Sequence, residues 1–310
     1  MQLALSTHWN ASRHRTGEAM LEEILRLGIH RVELGYDLRM DLVPGVMKLV
    51  SEKTIVVDSV HNFCPVPIGA PRGHPELFHL AGLDPRNRES AVRRTAETIQ
   101  FAAGIGAKTV VVHAGNVDMT HMTNDLISFC EKGEQYSPRC EKLKLKLLMK
   151  RDDKVKKHLP NLYRSLDELL PILTNAGVRL AIENLPTWES IPCESEMETL
   201  LKHYDSPLIG YWHDIGHGQI RQNLGFISYQ LWLNRLAGWL RGLHIHDVAP
   251  PALDHLMPPR GTVDFAVFKT YLKPDMALVL EPAPQTPEAD IREGARVVRE
   301  AWGIPASTGG

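Results

Sequence analysis

Gly210-Tyr-Trp-His-Asp214-Ile-Gly-His217-Gly218 is the stretch on which the reading of this chain turns. An extended apolar approach, Ser206-Pro-Leu-Ile-Gly-Tyr-Trp, delivers Asp214 and His217 onto a glycine-bracketed turn, where neither side chain has an evident core to fill. A carboxylate and an imidazole so placed read as a site. The plainer alternative is an Asp that caps the following segment, with a His that happens to be near. Three other strand ends, and then the whole chain, decide between them.

Working outward, Val178-Arg-Leu-Ala-Ile-Glu183 upstream and Leu240-Arg-Gly-Leu-His244 and Met276-Ala-Leu-Val-Leu-Glu281 downstream have the same form, an apolar β-prone run ending in a polar side chain. Four earlier runs precede them: Leu3 to Ser6, Arg31-Val-Glu-Leu, Thr54-Ile-Val-Val-Asp-Ser-Val ending at His61, and Lys108-Thr-Val-Val-Val-His113. Helical periodicity separates them, first after Thr16, which can cap a helix that Gly28 stops, and then over 42–50, 89–103, 194–203, 228–236, 265–272 and 287–302. The Pro- and Gly-rich interval 62–87 predicts a long loop of the kind that walls or covers a site. Leucines at helical spacing from Leu143 to Leu173 predict one long helix or two, broken or kinked near Pro160, within an insertion spanning about 118–173. Gly104-Ile-Gly106 followed by Lys108-Thr109 has the wrong spacing and element order for a phosphate cradle. Eight strands alternating with helices predict an α/β chain forming a single (β/α)₈ TIM barrel over residues 1–310, with 305–310 as a fraying tail.

The totals agree with that class. The 310 residues are 43% hydrophobic and 23% charged, with a formal net charge of −2, so no global field points to nucleic acid or to a membrane surface. Basic side chains crowd 141–157, but acidic residues are mixed in and no aromatics interleave, which predicts a solvated helix face. Cys64, Cys130, Cys140 and Cys193 are scattered without a Cys-x-x-Cys pair, which suits a reducing compartment. The start of the chain lacks the features of a signal peptide, and no segment approaches membrane-spanning length, so a cytoplasmic location is expected.

In a (β/α)₈ barrel the catalytic groups stand at the C-terminal ends of the strands. Glu183, Asp214, His244 and Glu281 end strands five to eight and converge on one mouth. Three carboxylates set together repel and raise one another's pKa, a conflict that a divalent cation removes. Three carboxylate oxygens with one imidazole nitrogen suit Mn²⁺, Co²⁺ or Mg²⁺, with Zn²⁺ also acceptable. His61 and His113 end strands three and four, His217 lies one turn beyond Asp214, and Asp254-His255 follows strand seven. These line a sugar pocket or bind further ions. His246 shares the face of His244 and is a candidate to orient a ligand or to contact substrate, whereas Asp247 points the other way. His8, Trp9, Glu33, His74 and His79 carry weaker signals.

Val-Val-His113-Ala-Gly, Ile-Glu183-Asn, Asp214-Ile-Gly-His217, His244-Ile-His-Asp247, Asp254-His255 before Arg-Gly-Thr-Val-Asp-Phe, and Leu-Glu281-Pro together resemble the xylose isomerase-like TIM-barrel superfamily. That superfamily holds sugar and sugar-phosphate isomerases and epimerases and also endonuclease IV. Its ketose 3-epimerases imply that Glu183, Asp214, His244 and Glu281 bind one divalent metal, that Glu183 and Glu281 also move the proton, and that His217 contacts substrate. Endonuclease IV implies additional ligands at His61, His113, His217 and Asp254-His255. Its Asp and His are separated by one residue where these are adjacent.

The expectation is therefore an isomerase or epimerase acting on a small sugar or polyol derivative through a metal-stabilised enediolate, using one divalent ion and no nucleotide cofactor. His61, His113, His217, His246, Asp254 and His255 are its candidate substrate-binding residues. Arg13, Arg15, Arg72 and Arg260 lie in mouth-side loops and are candidates for receiving a phosphate or carboxylate. No membrane or nucleic-acid partner is expected, and a homo-oligomer is left open. The alternatives are an endonuclease IV-like phosphodiesterase acting on abasic DNA and a non-catalytic sugar-binding barrel.

Overall fold

The computed structural model describes residues 1–305. The tail expected to fray therefore lies, from residue 306 on, outside the described residues. The strands, in chain order, are β1 (Leu3–Ser6), β2 (Arg31–Leu34), β3 (Val56–His61), β4 (Thr109–Val112), β5 (Arg179–Glu183), β6 (Ile209–Asp214), β7 (Leu240–Ile245), β8 (Asp247–Ala249), β9 (Leu253–Leu256) and β10 (Ala277–Leu280). Eight of them close a parallel barrel in the order β1-β10-β7-β6-β5-β4-β3-β2, and β8 and β9 form a separate antiparallel hairpin. The helices are α1 (Gly17–Leu25), α2 (Val43–Ser51), α3 (Pro85–Gly104), α4 (Thr123–Glu131), α5 (Pro138–Ala176), α6 (Glu194–Tyr204), α7 (Ile215–Asn223), α8 (Tyr229–Leu236) and α9 (Glu288–Trp302). Most flank the barrel as expected of eight alternating units.

Strand periodicity sorts the side chains into two layers. Leu180, Ile182, Tyr211, Leu243, Ile245, Leu278 and Leu280 belong to the cluster shared with the helices, whereas Ala4, Val111, Ala181, Trp212, Ala277 and Val279 form a compact cluster of their own inside the barrel. Two residues beyond Val111, Ala181, Trp212 and Val279 stand His113, Glu183, Asp214 and Glu281. The same alternation that fills the barrel centre thus lifts those four polar side chains to its mouth.

Three expectations are corrected. First, α5 runs unbroken through Pro160 and Pro171 for 39 residues. Each proline removes one backbone donor, but Leu147, Leu162, Leu166, Leu169 and Leu173 are fully buried along one stripe, and that burial outweighs two missing hydrogen bonds. Second, a helix, α7, begins directly after Asp214, where a turn was expected. Gly216 and Gly218 weaken helical periodicity but are required by packing, since a Cβ on Gly216 would overlap the His246 ring. Third, residues 265–271 form a 3-10 helix, not an α-helix. Within the basic segment 141–157, Arg151 departs from the solvated face. It is 1% exposed, holds Glu196 at 2.7 Å and donates to the carbonyls of Trp188 and Ser190, tying α5 to the loop after β5.

Trp212 fills the barrel centre directly beneath the site, its ring centroid 5.0 Å from that of His244. Gly242 is the only residue size that fits against it, because any Cβ there would overlap the indole. Gly242→Ala should therefore destabilise the fold by about 1–3 kcal/mol. Urea unfolding checks this, and a variant as stable as the parent contradicts the packing described.

Candidate metal centre

His244 enters the barrel from the end of β7 and is fully buried. Its Nε2 lies 3.0 Å and 3.2 Å from the two carboxylate oxygens of Glu33, which in turn accept from Ser59 Oγ at 2.7 Å and Ser6 Oγ at 3.4 Å. Glu33 is thus the acceptor that fixes the ring. The other ring nitrogen, Nδ1, makes no hydrogen bond yet faces Glu281 Oε2 at 3.3 Å, Glu183 Oε1 at 3.4 Å and Asp214 Oδ2 at 3.7 Å. A buried imidazole nitrogen without a partner, ringed by three carboxylate oxygens, is the donor set of a divalent cation, and these four side chains could hold one.

Each carboxylate is positioned by its own element. Asp214 ends β6 and caps α7, its Oδ1 accepting from the His217 backbone N–H at 2.6 Å. The capping reading of the sequence is therefore correct, and the same placement leaves Oδ2 turned toward His244. Asn184 accepts from the Asp214 N–H and from Tyr211 Oη and donates to the Asp214 carbonyl, which straps β5 to β6 at the mouth. Glu183 stands at the centre, with Oε2 3.2 Å from His61 Nε2 and 3.3 Å from His113 Nε2, and Oε1 3.3 Å from His217 Nδ1. Burial alone would raise Glu183, but the imidazoles of His244 and His113 hold it well below the ordinary carboxylate range. Conversely, burial would lower the imidazoles, yet Glu281, Glu33 and Glu183 lift His244 well above its usual value, and Asp214 with Glu183 lifts His217 to about 9.

A cavity of about 350 Å³ opens above this centre. Glu183, Glu281, His61, His113, His217, Asp254 and His255 all line it, as do Tyr36, Asn116 and Thr187. His246 does not reach it, contrary to a direct substrate contact. Its Nδ1 accepts from the His255 N–H at 2.9 Å and its Nε2 donates to Asp214 at 3.0 Å, so both nitrogens are committed to orienting neighbours. Asp254 and His255 lie on the β9 strand of the hairpin, not in a loop, with the His255 ring stacked 4.2 Å from His246. Asp247 points away, as expected, and accepts the N–H groups of Gly261 and Val263. None of Arg13, Arg15, Arg72 and Arg260 lines the cavity; Arg13 pairs with Glu23 and Arg260 with Asp290.

Sequence reasoning passed over Tyr36, whose ring lies edge-on to His61 at 5.2 Å while its Oη is 3.2 Å from His8 Nε2. It also undervalued Glu33 and assigned no role to Asn184. The inward alternation along β2 was the available signal for Glu33.

Among the described residues four further trios have ligand atoms within 4.8 Å of one another: Glu33 with His244 and Glu281, and Asp214 with His246 and Glu281, overlap the centre already described, and the other two are His61 with His113 and Glu183, and His217 with His246 and His255. In the His61 trio, His61 Nδ1 is 3.1 Å from the Asn62 carbonyl, which leaves Nε2 to face Glu183, and His113 Nδ1 has no partner. In the His217 trio, His246 has no nitrogen to spare.

Removing Glu33 strands a buried imidazole nitrogen. Glu33→Ala should cost about 3–5 kcal/mol, as for one partner of a buried pair. Glu33→Gln, which keeps an acceptor, should recover most of that loss in urea unfolding. Equal losses in both variants would show that Glu33 is not held there for His244.

Known proteins resemble this chain in sequence or in fold. An uncharacterized protein of Methanocaldococcus jannaschii, MJ1614, is 22% identical over 257 residues, covering 81% of this chain and 80% of its own. Among solved structures, a D-tagatose 3-epimerase-like protein superposes with a TM-score of 0.71 at 18% identity, covering 98% of both chains. The 3-keto-D-glucoside 4-epimerase YcjR of E. coli gives 0.69 at 16% identity, covering 97% of this chain and 99% of its own. The IOLI protein, solved with a bound zinc atom, gives 0.67 at 13%, covering 99% and 100%. A family model matches residues 21–301, and with the barrel and its mouth described, the chain belongs to the xylose isomerase-like TIM barrel family.

Proposed function

We propose that this protein is a divalent-metal-dependent isomerase or epimerase of a small carbohydrate, built as one barrel domain with the helical segment 118–173 as an insertion. The observation that carries this reading is that Glu183 and Glu281 both line the cavity and both face the unpartnered His244 Nδ1. Glu183, Asp214, His244 and Glu281 would hold the cation. When bound, it would polarise the substrate carbonyl and offset the charge that develops as the adjacent C–H bond breaks.

This chain's own residues supply the rest. One of Glu183 and Glu281, ionised, takes the proton from the carbon next to the carbonyl, the C–H electron pair moves into the enediolate, and the other, which enters the step protonated, returns a proton, the starting forms being restored by exchange with solvent. Both are 5% exposed or less, so the reacting carbon is kept from bulk water, while the carboxyl protons exchange with solvent between turnovers. His217 directs Nδ1 at the Asn184 carbonyl at 3.0 Å, which leaves Nε2 for a substrate hydroxyl, and His113, His61, Asp254 and His255 complete the polar wall. His246 is a positioning residue that acts through Asp214.

A second reading has one observation in its favour. The His61, His113, Glu183 trio could take another ion, which would suit a phosphodiesterase of the endonuclease IV kind. Against it, no Lys or Arg lines the cavity, and a nucleic-acid backbone is gripped chiefly by such side chains. One bound ion per chain by elemental analysis favours the isomerase, whereas two or three with nicking of abasic DNA favours the phosphodiesterase.

Two measurements test the isomerase reading. Glu183→Gln and Glu281→Gln should each reduce deuterium exchange at the substrate's α carbon by about 10²-fold or more with the fold retained, and undiminished exchange in both refutes the assignment. The raised imidazoles also set a sign. His244 and His217 keep their protons at neutral pH in the metal-free protein, so an incoming cation must displace the His244 proton to be ligated and repels the one on His217 beside it. Mn²⁺ binding should release protons near pH 7 and tighten as pH rises toward about 9, where His217 deprotonates unaided. Calorimetry in two buffers of different ionisation enthalpy reads the release, and its absence contradicts ligation by His244.

A further inference from the structure

A second cavity, of about 520 Å³, adjoins the first and shares His74, Glu76, Asn116 and His121 with it. Its walls are built, not incidental. His158 of α5 is 2% exposed and forms part of the lining, with Nδ1 donating to the Ala81 carbonyl at 2.8 Å and Nε2 accepting from the Asp118 N–H at 3.0 Å, so one ring ties the loop after β3 to the loop after β4. Asn161 and Ser165 of α5 donate to the carbonyls of Gly82 and Leu80 and hold the loop after β3 to the helix along its length. Gly115 has φ +118°, and the His79 side chain packs 2.7 Å from where a Cβ would stand, so both conformation and space call for glycine there. At the junction of the two cavities Asn116 Nδ2 donates to Glu76 Oε1 at 2.8 Å, which leaves Asn116 Oδ1 and Glu76 Oε2 as acceptors facing the shared space.

The composition of this wall selects a chemistry. Glu76, Asp84, Asp118 and Asn116 are rich in acceptors, and neither cavity is lined by a Lys or an Arg. In the second cavity hydroxyl groups donate to such a wall, whereas a phosphate or carboxylate there meets the like charge of Glu76, Asp84 and Asp118 with no Lys or Arg beside it. Each cavity is within the size range of small-ligand sites, so the first alone suffices for one sugar ring.

We infer that the second cavity is a subsite for the second unit of a two-part carbohydrate, a glycosidically linked sugar carrying no anionic group, whose ketose unit occupies the first cavity. The inference rests on the isomerase reading and narrows its substrate class. Binding energy gathered in the second cavity serves to orient the reacting unit, so a linked substrate gains in kcat/KM over the free ketose.

The test uses the full chain with Mn²⁺ in D₂O and follows deuterium incorporation next to the carbonyl by NMR for free ketohexoses, the reducing disaccharides maltulose and isomaltulose, and fructose 6-phosphate. At least one disaccharide should exceed every free ketose in kcat/KM by about tenfold or more, with the phosphate the poorest. Leu83 lines only the second cavity and is 40% exposed, so Leu83→Trp fills that space without disturbing the core. It should abolish the disaccharide advantage and leave free-ketose exchange unchanged. Exchange of free ketoses with no disaccharide advantage, or an advantage that survives Leu83→Trp, overturns the subsite and leaves the isomerase standing. Exchange with none of these sugars overturns both.

Discussion

Buried negative charge around one imidazole is the constraint on which this structure depends. Glu33, Glu183, Asp214 and Glu281 are all 5% exposed or less and lie within reach of the His244 ring, Glu33 behind it and the others in front. Taking each carboxylate out of water costs several kcal/mol unless positive charge or hydrogen bonds compensate. No Lys or Arg lines the cavity, so compensation comes from histidines and, on the reading proposed, from a cation. That is why imidazoles gather here: His61, His113 and His217 each face Glu183, and His246 faces Asp214. The carboxylates they face raise the imidazoles of His61, His217, His244 and His246 above their usual value, against the lowering effect of burial.

The barrel delivers this arrangement by period-two alternation, and the surrounding elements make it rigid. Trp212 fills the space below, Asn184 straps two strand ends together, and α7 starts on Asp214 itself. Arg151 and His158 extend the same logic outward, since the α5 segment between β4 and β5 fixes the loops that wall both cavities. The segment carrying α4 and α5 is therefore part of how the mouth is shaped, consistent with the way loop variation on this fold changes specificity. Among the described residues no helix is long and apolar enough to cross a membrane.

Much of this was legible in the sequence. The eight strands are legible because each is a short β-branched or leucine-rich run, and the polar residues ending strands three to eight mark the mouth. What escaped had identifiable causes. Glu33 sits in a four-residue strand where its charge looked like a surface one, and its role depends on His244, more than two hundred positions away. The α7 helix was hidden by glycines that exist for the approach of the His246 and His213 rings, a tertiary requirement that overrides local propensity. The unbroken α5 helix reversed the usual meaning of proline because its leucine stripe is buried on both sides of Pro160. His246 had the right face but the wrong role, since hydrogen bonding to His255 and Asp214 consumes both nitrogens.

The central claim is that Glu183, Asp214, His244 and Glu281 share one cation. Anomalous diffraction from crystals of the Mn²⁺-loaded protein tests it most directly. The account predicts a peak bonded to His244 Nδ1 and to oxygens of all three carboxylates. A map in which His244 Nδ1 touches no metal, with Mn²⁺ bound elsewhere on the chain, would contradict it.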